Sequence, residues 1–157
     1  MKTLIIGAKG MLGHELAKVF LDWRPFLWDR DEINITNQAQ VEQKISDLAP
    51  ELIINAAAYT NVDGAETPEG RIAAWQANAV GVGNLAAVAT KHNLRLIHFS
   101  TDYVFDGQTF PHQESEPLSP LGVYAQSKAA GEVAAATVAQ SYIIRTTWLM
   151  GNGKNFV

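Results

Sequence analysis

The chain has 157 residues, 47% of them hydrophobic and 18% charged, with a net charge of −4 and no cysteine. That is enough for one domain around one core, and the balance excludes a disordered chain. It also excludes a disulfide scaffold, a thiol nucleophile and a cysteine-ligated metal. Nucleic acid becomes an unexpected partner, and a reducing cytoplasm the expected location.

Residues 3–7, "TLIIG", make a short β-prone run. One lysine precedes it and Gly7 ends it, too short for a signal segment or a membrane span. A glycine-rich turn follows, then residues 11–21, where Leu12, Leu16, Val19 and Phe20 share a helical face. "PFLWD", residues 25–29, predicts a second strand. Residues 37–50 predict a helix, capped by Thr36 or Asn37 and closed by Pro50. "ELIINAAA" predicts a third strand ending near Asn55. Residues 69–92 predict one long helix, in which Gly81 and Gly83 imply close packing against a neighbour. Residues 94–100 predict a fourth strand, 101–121 a proline-bearing loop, 122–139 a helix and 141–150 a fifth strand. "GNGKNFV" reads as a loop leading into a further helix. Strand and helix alternate, and the strands are nearly all apolar, the pattern of parallel strands buried on both faces. The expected fold is α/β, a doubly wound parallel sheet of Rossmann type. Five strands are fewer than usual for that fold, so its C-terminal end reads as incomplete.

"GAKGMLG" places Gly7, Gly10 and Gly13 between the first strand and the first helix. Gly7 allows the tight turn, Gly10 lets a pyrophosphate approach the backbone, and Gly13 lets the helix pack on the strand. The helix N-terminus supplies N–H groups and a favourable dipole for the anion. This predicts a dinucleotide site. Asp29 ends the second strand, where a carboxylate would bond an adenosine ribose, and Arg30 follows it. The carboxylate favours NAD(H) and the guanidinium favours NADP(H). The reading here is NADP(H), helped by Lys9, with NAD(H) tolerated.

"VYAQSKAAGE" sets Tyr124 and Lys128 four apart at a helix start, on one face. Ketone reduction needs a hydride on carbon and a proton on oxygen. A phenol can donate the proton, and a nearby ammonium lowers its pKa. Lys128 can also hold the nicotinamide ribose. "HFSTD" offers Ser100 and Thr101 at the end of the fourth strand, the edge where open α/β sheets bind ligands. The small residues of "NAAAYTNVD" let a cofactor approach the backbone after the third strand. His14, His92, His98 and His112 show no metal spacing and receive no chemistry.

These stretches, with "ELIINAAAYTNVDGAE", "NAVGVGNLA", "IHFSTDYVFDG" and "RTTWLMG", resemble the extended short-chain dehydrogenase/reductase family over essentially the whole sequence. The resemblance implies Thr101, Tyr124 and Lys128 as the catalytic set. It implies cofactor contacts at Gly7, Gly10, Met11, Leu12, Gly13, Asp29, Arg30, Ala56, Ala57, Ala58 and Tyr59, with Asn78 and Ser100 nearby. Val62, Asp102, Tyr103 and Trp148 fall on the sugar side. The implied activity is NAD(P)H-dependent reduction of the 4-keto group of a nucleotide-linked sugar. Dehydratases of this superfamily carry an Asp-Glu pair after the threonine, and Tyr103 stands in the second place here. A reductase fits that better than a dehydratase or an epimerase. The alternatives are a non-catalytic NADP-binding regulatory subunit and another nucleotide-sugar reductase or epimerase, and the 157-residue chain alone is expected to be catalytically incomplete. Some relatives bind Mg²⁺ at a dimer contact through a glutamate where Glu15 stands. The remaining ligands would fall beyond Val157, so no metal is expected, while a longer form could be a homodimer. Asn34 stands where an aspartate is common, which removes one expected adenine-side contact. Relatives are nearly twice as long. Residues 1–157 are thus expected to be an NAD(P)-binding domain without the C-terminal substrate-binding part.

Overall fold

The computed structural model describes residues 1–151, so the helix expected after "GNGKNFV" lies outside the described residues. Five parallel strands form one sheet: β1 (Thr3–Ile6), β2 (Phe26–Trp28), β3 (Leu52–Asn55), β4 (Arg95–Thr101) and β5 (Ser141–Thr146). Their spatial order is β2-β1-β3-β4-β5, so the winding reverses between β1 and β3. Open α/β sheets bind ligands outside the strand C-termini at such a reversal.

The helices are α1 (Met11–Val19), α2 (Gln38–Leu48), α3 (Pro68–Trp75), α4 (Gly81–Lys91) and α5 (Val123–Ala135). Leu4, Ile6, Ile53 and Leu96 pack on one side against Val41 and Ile45 of α2, Leu85 and Val88 of α4 and Ala135 of α5. Ile5, Leu52 and Ile54 face the other side, with Leu16 of α1 and Phe20 packed on them. Helices on both faces make the sheet doubly wound, as expected. Asn37 caps α2 by accepting from the Gln40 N–H at 3.0 Å.

Three expectations change. The single helix 69–92 is α3 and α4 joined by a π-helical turn, Gln76–Val80. Gly83 is not a packing glycine, because a Cβ there would meet nothing within 4 Å, whereas one on Gly81 would press on Ile35 at 2.7 Å. The strands are not all buried on both faces. Phe26 and Leu27 of β2 and Tyr142 and Ile144 of β5 are exposed, because those strands are the two sheet edges. No helix among the described residues is long and apolar enough to cross a membrane.

Candidate active site

The chemistry-bearing residues gather at the C-terminal edge of the sheet. Gly7 leaves β1 with φ 82°, a left-handed conformation that glycine adopts without strain. A Cβ there would also stand 2.6 Å from the Ala57 nitrogen. On Gly13 it would stand 2.1 Å from the Gly7 carbonyl oxygen, so α1 packs directly on the turn. Gly10 differs: only the Gly7 oxygen, 3.3 Å away, lies near its Cβ position. Gly10, at the N-cap of α1, has no side chain with which to accept from the first-turn N–H groups. Met11 and Leu12, the first residues of α1, are half-buried beside them. A phosphate fits such a helix start.

Asp29 follows β2, but its carboxylate is already engaged. Oδ2 accepts from the Lys9 N–H at 2.9 Å and Oδ1 from the Arg30 N–H at 2.8 Å. Asp29 therefore ties the glycine turn to the end of β2. Arg30 is exposed, and the exposed Lys9 ammonium pairs with Asp31.

Ala56, Ala57, Ala58 and Tyr59 follow β3 and are half-buried. The buried Asn78, on the π-helical turn, holds Tyr59 at both backbone groups. Its Oδ1 accepts from the Tyr59 N–H at 2.8 Å, and its Nδ2 donates to the Tyr59 carbonyl and to Ser127 Oγ, both at 3.0 Å. Asn78 thus joins the β3 loop to α5, a use of its amide that the sequence reading did not foresee.

Tyr124 and Lys128 lie one turn apart on α5. Tyr59 and Tyr124 pack on one small cluster of Ala65, Ala74 and Val123. Lys128 is buried, and its Nζ donates to the Phe99 carbonyl of β4 at 2.6 Å. Burial lowers the Lys128 pKa to about 8, opposed by Glu132. The expected lowering of the phenol by Lys128 is not what this arrangement gives. Burial raises the Tyr124 pKa, a hydrogen bond with Thr101 opposes this, and Asp102 and Tyr103 add to it. The phenol is held protonated, the form in which it can act as an acid.

Thr101 closes β4. Its Oγ1 donates to Asp102 Oδ1 at 3.0 Å and accepts from the Tyr103 N–H at 3.2 Å. Tyr103 stands edge-on to Tyr124, with ring centroids 6.1 Å apart. Ser100 Oγ is buried and makes no hydrogen bond among the described residues. Val62 starts the 3₁₀ turn Asp63–Glu66. Trp148 lies beyond β5, not on it, with φ 50° and 60% exposure, so it is not a core aromatic.

Three features had no signal in the sequence reading. Glu66 Oε1 accepts from the Val123 N–H at 2.8 Å and so caps α5 from 57 positions away. The buried Glu132 holds Arg145 through Nε at 3.0 Å and Nη2 at 2.8 Å. His98 Nδ1 meets Asn55 Nδ2 at 3.2 Å, and burial together with Lys128 lowers its pKa to about 3. Glu15 is paired with Lys18 at 2.8 Å, and no group of three metal-ligating side chains forms among the described residues. A cleft of about 460 Å³ lies at the opposite edge of the sheet, lined by Glu51, Asn93, Arg95 and Gln140, away from all of these groups.

The family model described as the RmlD substrate binding domain matches residues 1–157. The chain belongs to this family. A dTDP-4-dehydrorhamnose reductase of Aggregatibacter actinomycetemcomitans is 43% identical over 99% of the chain and 54% of the relative. The RmlD-family chain thus spans about half the length of the curated relatives it matches. A dTDP-4-dehydrorhamnose reductase structure from Clostridium acetobutylicum superposes with a TM-score of 0.93 at 38% identity, covering 99% of this chain and 56% of that one. One from Bacillus anthracis, in complex with NADP, gives 0.91 at 36% identity, with 99% and 57% covered.

Proposed function

We propose that residues 1–157 are the NAD(P)-binding domain of a dTDP-4-dehydrorhamnose reductase, which reduces the 4-keto group of dTDP-4-dehydrorhamnose to give dTDP-L-rhamnose. The observation that carries this reading is the grouping of Thr101, Tyr124 and Lys128 around the C-terminal end of β4, on the same end of the sheet as the glycine turn that follows β1. The named relatives support the substrate, and the NADP-bound relative supports the cofactor. The residues also fit the cofactor: the space at Gly10 and the uncapped start of α1 suit a diphosphate, and Arg30 and Lys9 suit a 2′-phosphate.

When bound, the reduced nicotinamide supplies the hydride. The chain supplies the proton. Tyr124, kept protonated by burial, donates it to the ketone oxygen. Lys128, one turn further along α5 and anchored on the Phe99 carbonyl, would hold the nicotinamide ribose. Thr101 can turn its hydroxyl from Asp102 to the same oxygen. Gly7, Gly10, Gly13, Met11, Leu12 and Ala56–Tyr59 form the cofactor floor, with Asp29, Asn78 and Ser100 behind it. Val62, Asp102, Tyr103 and Trp148 face the sugar.

The test measures NADPH oxidation with dTDP-4-dehydrorhamnose, and NADPH binding, for the chain and for Tyr124→Phe. Loss of one general acid is expected to lower turnover by about 10²-fold or more while NADPH affinity stays within about threefold. Turnover that survives Tyr124→Phe would remove the acid assignment. NADPH binding without turnover would confine residues 1–157 to the cofactor half.

A further inference from the structure

His98 takes no part in the chemistry above, yet it sits at the centre of the site's support. It lies on β4 directly opposite Asn55 at the end of β3, and both are 1% exposed. Two hydrogen bonds, one between them and one from Ala57 to Asn55, fix their orientation. The Ala57 N–H can only donate, so the Asn55 atom 3.1 Å from it is the amide oxygen. The Asn55 NH₂ therefore faces His98, whose Nδ1 at 3.2 Å must accept. The imidazole proton is then on Nε2, which is buried and makes no hydrogen bond among the described residues. A phenylalanine would fill this space without leaving an N–H unpaired. What the imidazole adds is the acceptor at Nδ1.

That acceptor bears on the cofactor floor through two contacts. Asn55 holds the Ala57 N–H, and Ala57 stands against Gly7 with no room for a Cβ between them. A displaced Asn55 amide would release Ala57, and Ala57 could shift only by moving against the glycine turn. We propose that His98 is a positioning residue of the cofactor site: its Nδ1 orients the Asn55 amide, which holds the Ala57 backbone against Gly7. This rests on the cofactor reading of that site. Burial and the neighbouring Lys128 charge keep the ring unprotonated down to about pH 3, so the acceptor persists at neutral pH.

The experiment compares His98→Phe, His98→Asn and His98→Gln in the 157-residue chain. An asparagine side chain can put an oxygen where Nδ1 stands; a glutamine reaches only towards Nε2. Two quantities are read: amide hydrogen exchange at Ala57 and the NADPH dissociation constant. In His98→Phe and His98→Gln, Ala57 exchange is expected to quicken and NADPH affinity to fall, each by about tenfold. His98→Asn is expected to stay within about threefold of the parent in both. The imidazole ¹⁵N spectrum of the parent should show the proton on Nε2. Equal Ala57 exchange in His98→Asn and His98→Gln would overturn the proposal, as would a proton on Nδ1. If the parent binds no NADPH, the cofactor reading falls instead, and Ala57 exchange still decides whether His98 holds that backbone.

Discussion

Tyr124 and His98 show how burial, more than spacing, sets the state of a side chain. The i,i+4 spacing suggested a phenol acidified by Lys128. In the folded chain, desolvation dominates the phenol, and Lys128 is bonded to the Phe99 carbonyl. For a reductase this direction is useful, because the acid must hold its proton until the ketone arrives. His98 is shifted down from 6.5 to about 3, first by burial and then by Lys128. The unfolded chain takes up this proton near pH 6.5, and the folded chain only near pH 3. Between those values the unfolded state binds more protons, so stability falls as the pH falls. The slope due to His98 should approach about 1.4 kcal/mol per pH unit. Urea denaturation of the parent and of His98→Asn, followed from pH 7 to 4, measures it. Identical slopes in the two would mean that His98 is not buried neutral.

At the scale of elements, α5 carries Tyr124 and Lys128 but has no N-cap of its own, since Gly122 precedes it. Glu66 provides the acceptor from another part of the chain. Glu66→Ala is expected to cost about 1 kcal/mol by chemical denaturation, with Glu66→Gln retaining most of the stability. A loss equal in both would point to the charge, and not the hydrogen bond, as the source. Helical structure over 69–92 was legible in the sequence. Its π-helical turn was not, because that turn answers to α5: a Cβ on Gly131 of α5 would stand 2.1 Å from the Asn78 carbonyl oxygen. Gly131→Ala should therefore destabilise by about 1–3 kcal/mol. Gly83→Ala, at a helical position with open space, should stabilise by about 0.5–1 kcal/mol. Thermal unfolding of the pair checks both signs.

Over the whole molecule, the sheet is covered unevenly. The interior strands β1 and β3 are fully buried, whereas β5 pairs with β4 alone among the described residues. Tyr142 is 63% and Ile144 40% exposed, and Leu149 and Met150 after β5 are exposed as well. An apolar edge strand is a template for pairing with another chain. The 157-residue chain is expected to self-associate as its concentration rises, and Ile144→Lys to shift it towards monomer. Light scattering after size-exclusion chromatography measures this. Association unaffected by Ile144→Lys would place the contact elsewhere.

The glycine turn, the alternation of strands and helices and the Tyr124–Lys128 register were legible in the sequence because each obeys a local rule of sterics or periodicity. The parallel, doubly wound fold followed from them. Tertiary structure decided what those residues do once packed. It turned the Asp29 oxygens to the Lys9 and Arg30 N–H groups, raised the Tyr124 pKa and set Asn55 against His98, 43 positions away. Local rules cannot reach that far. Burial and the second partner of a hydrogen bond depend on atoms that only folding brings together.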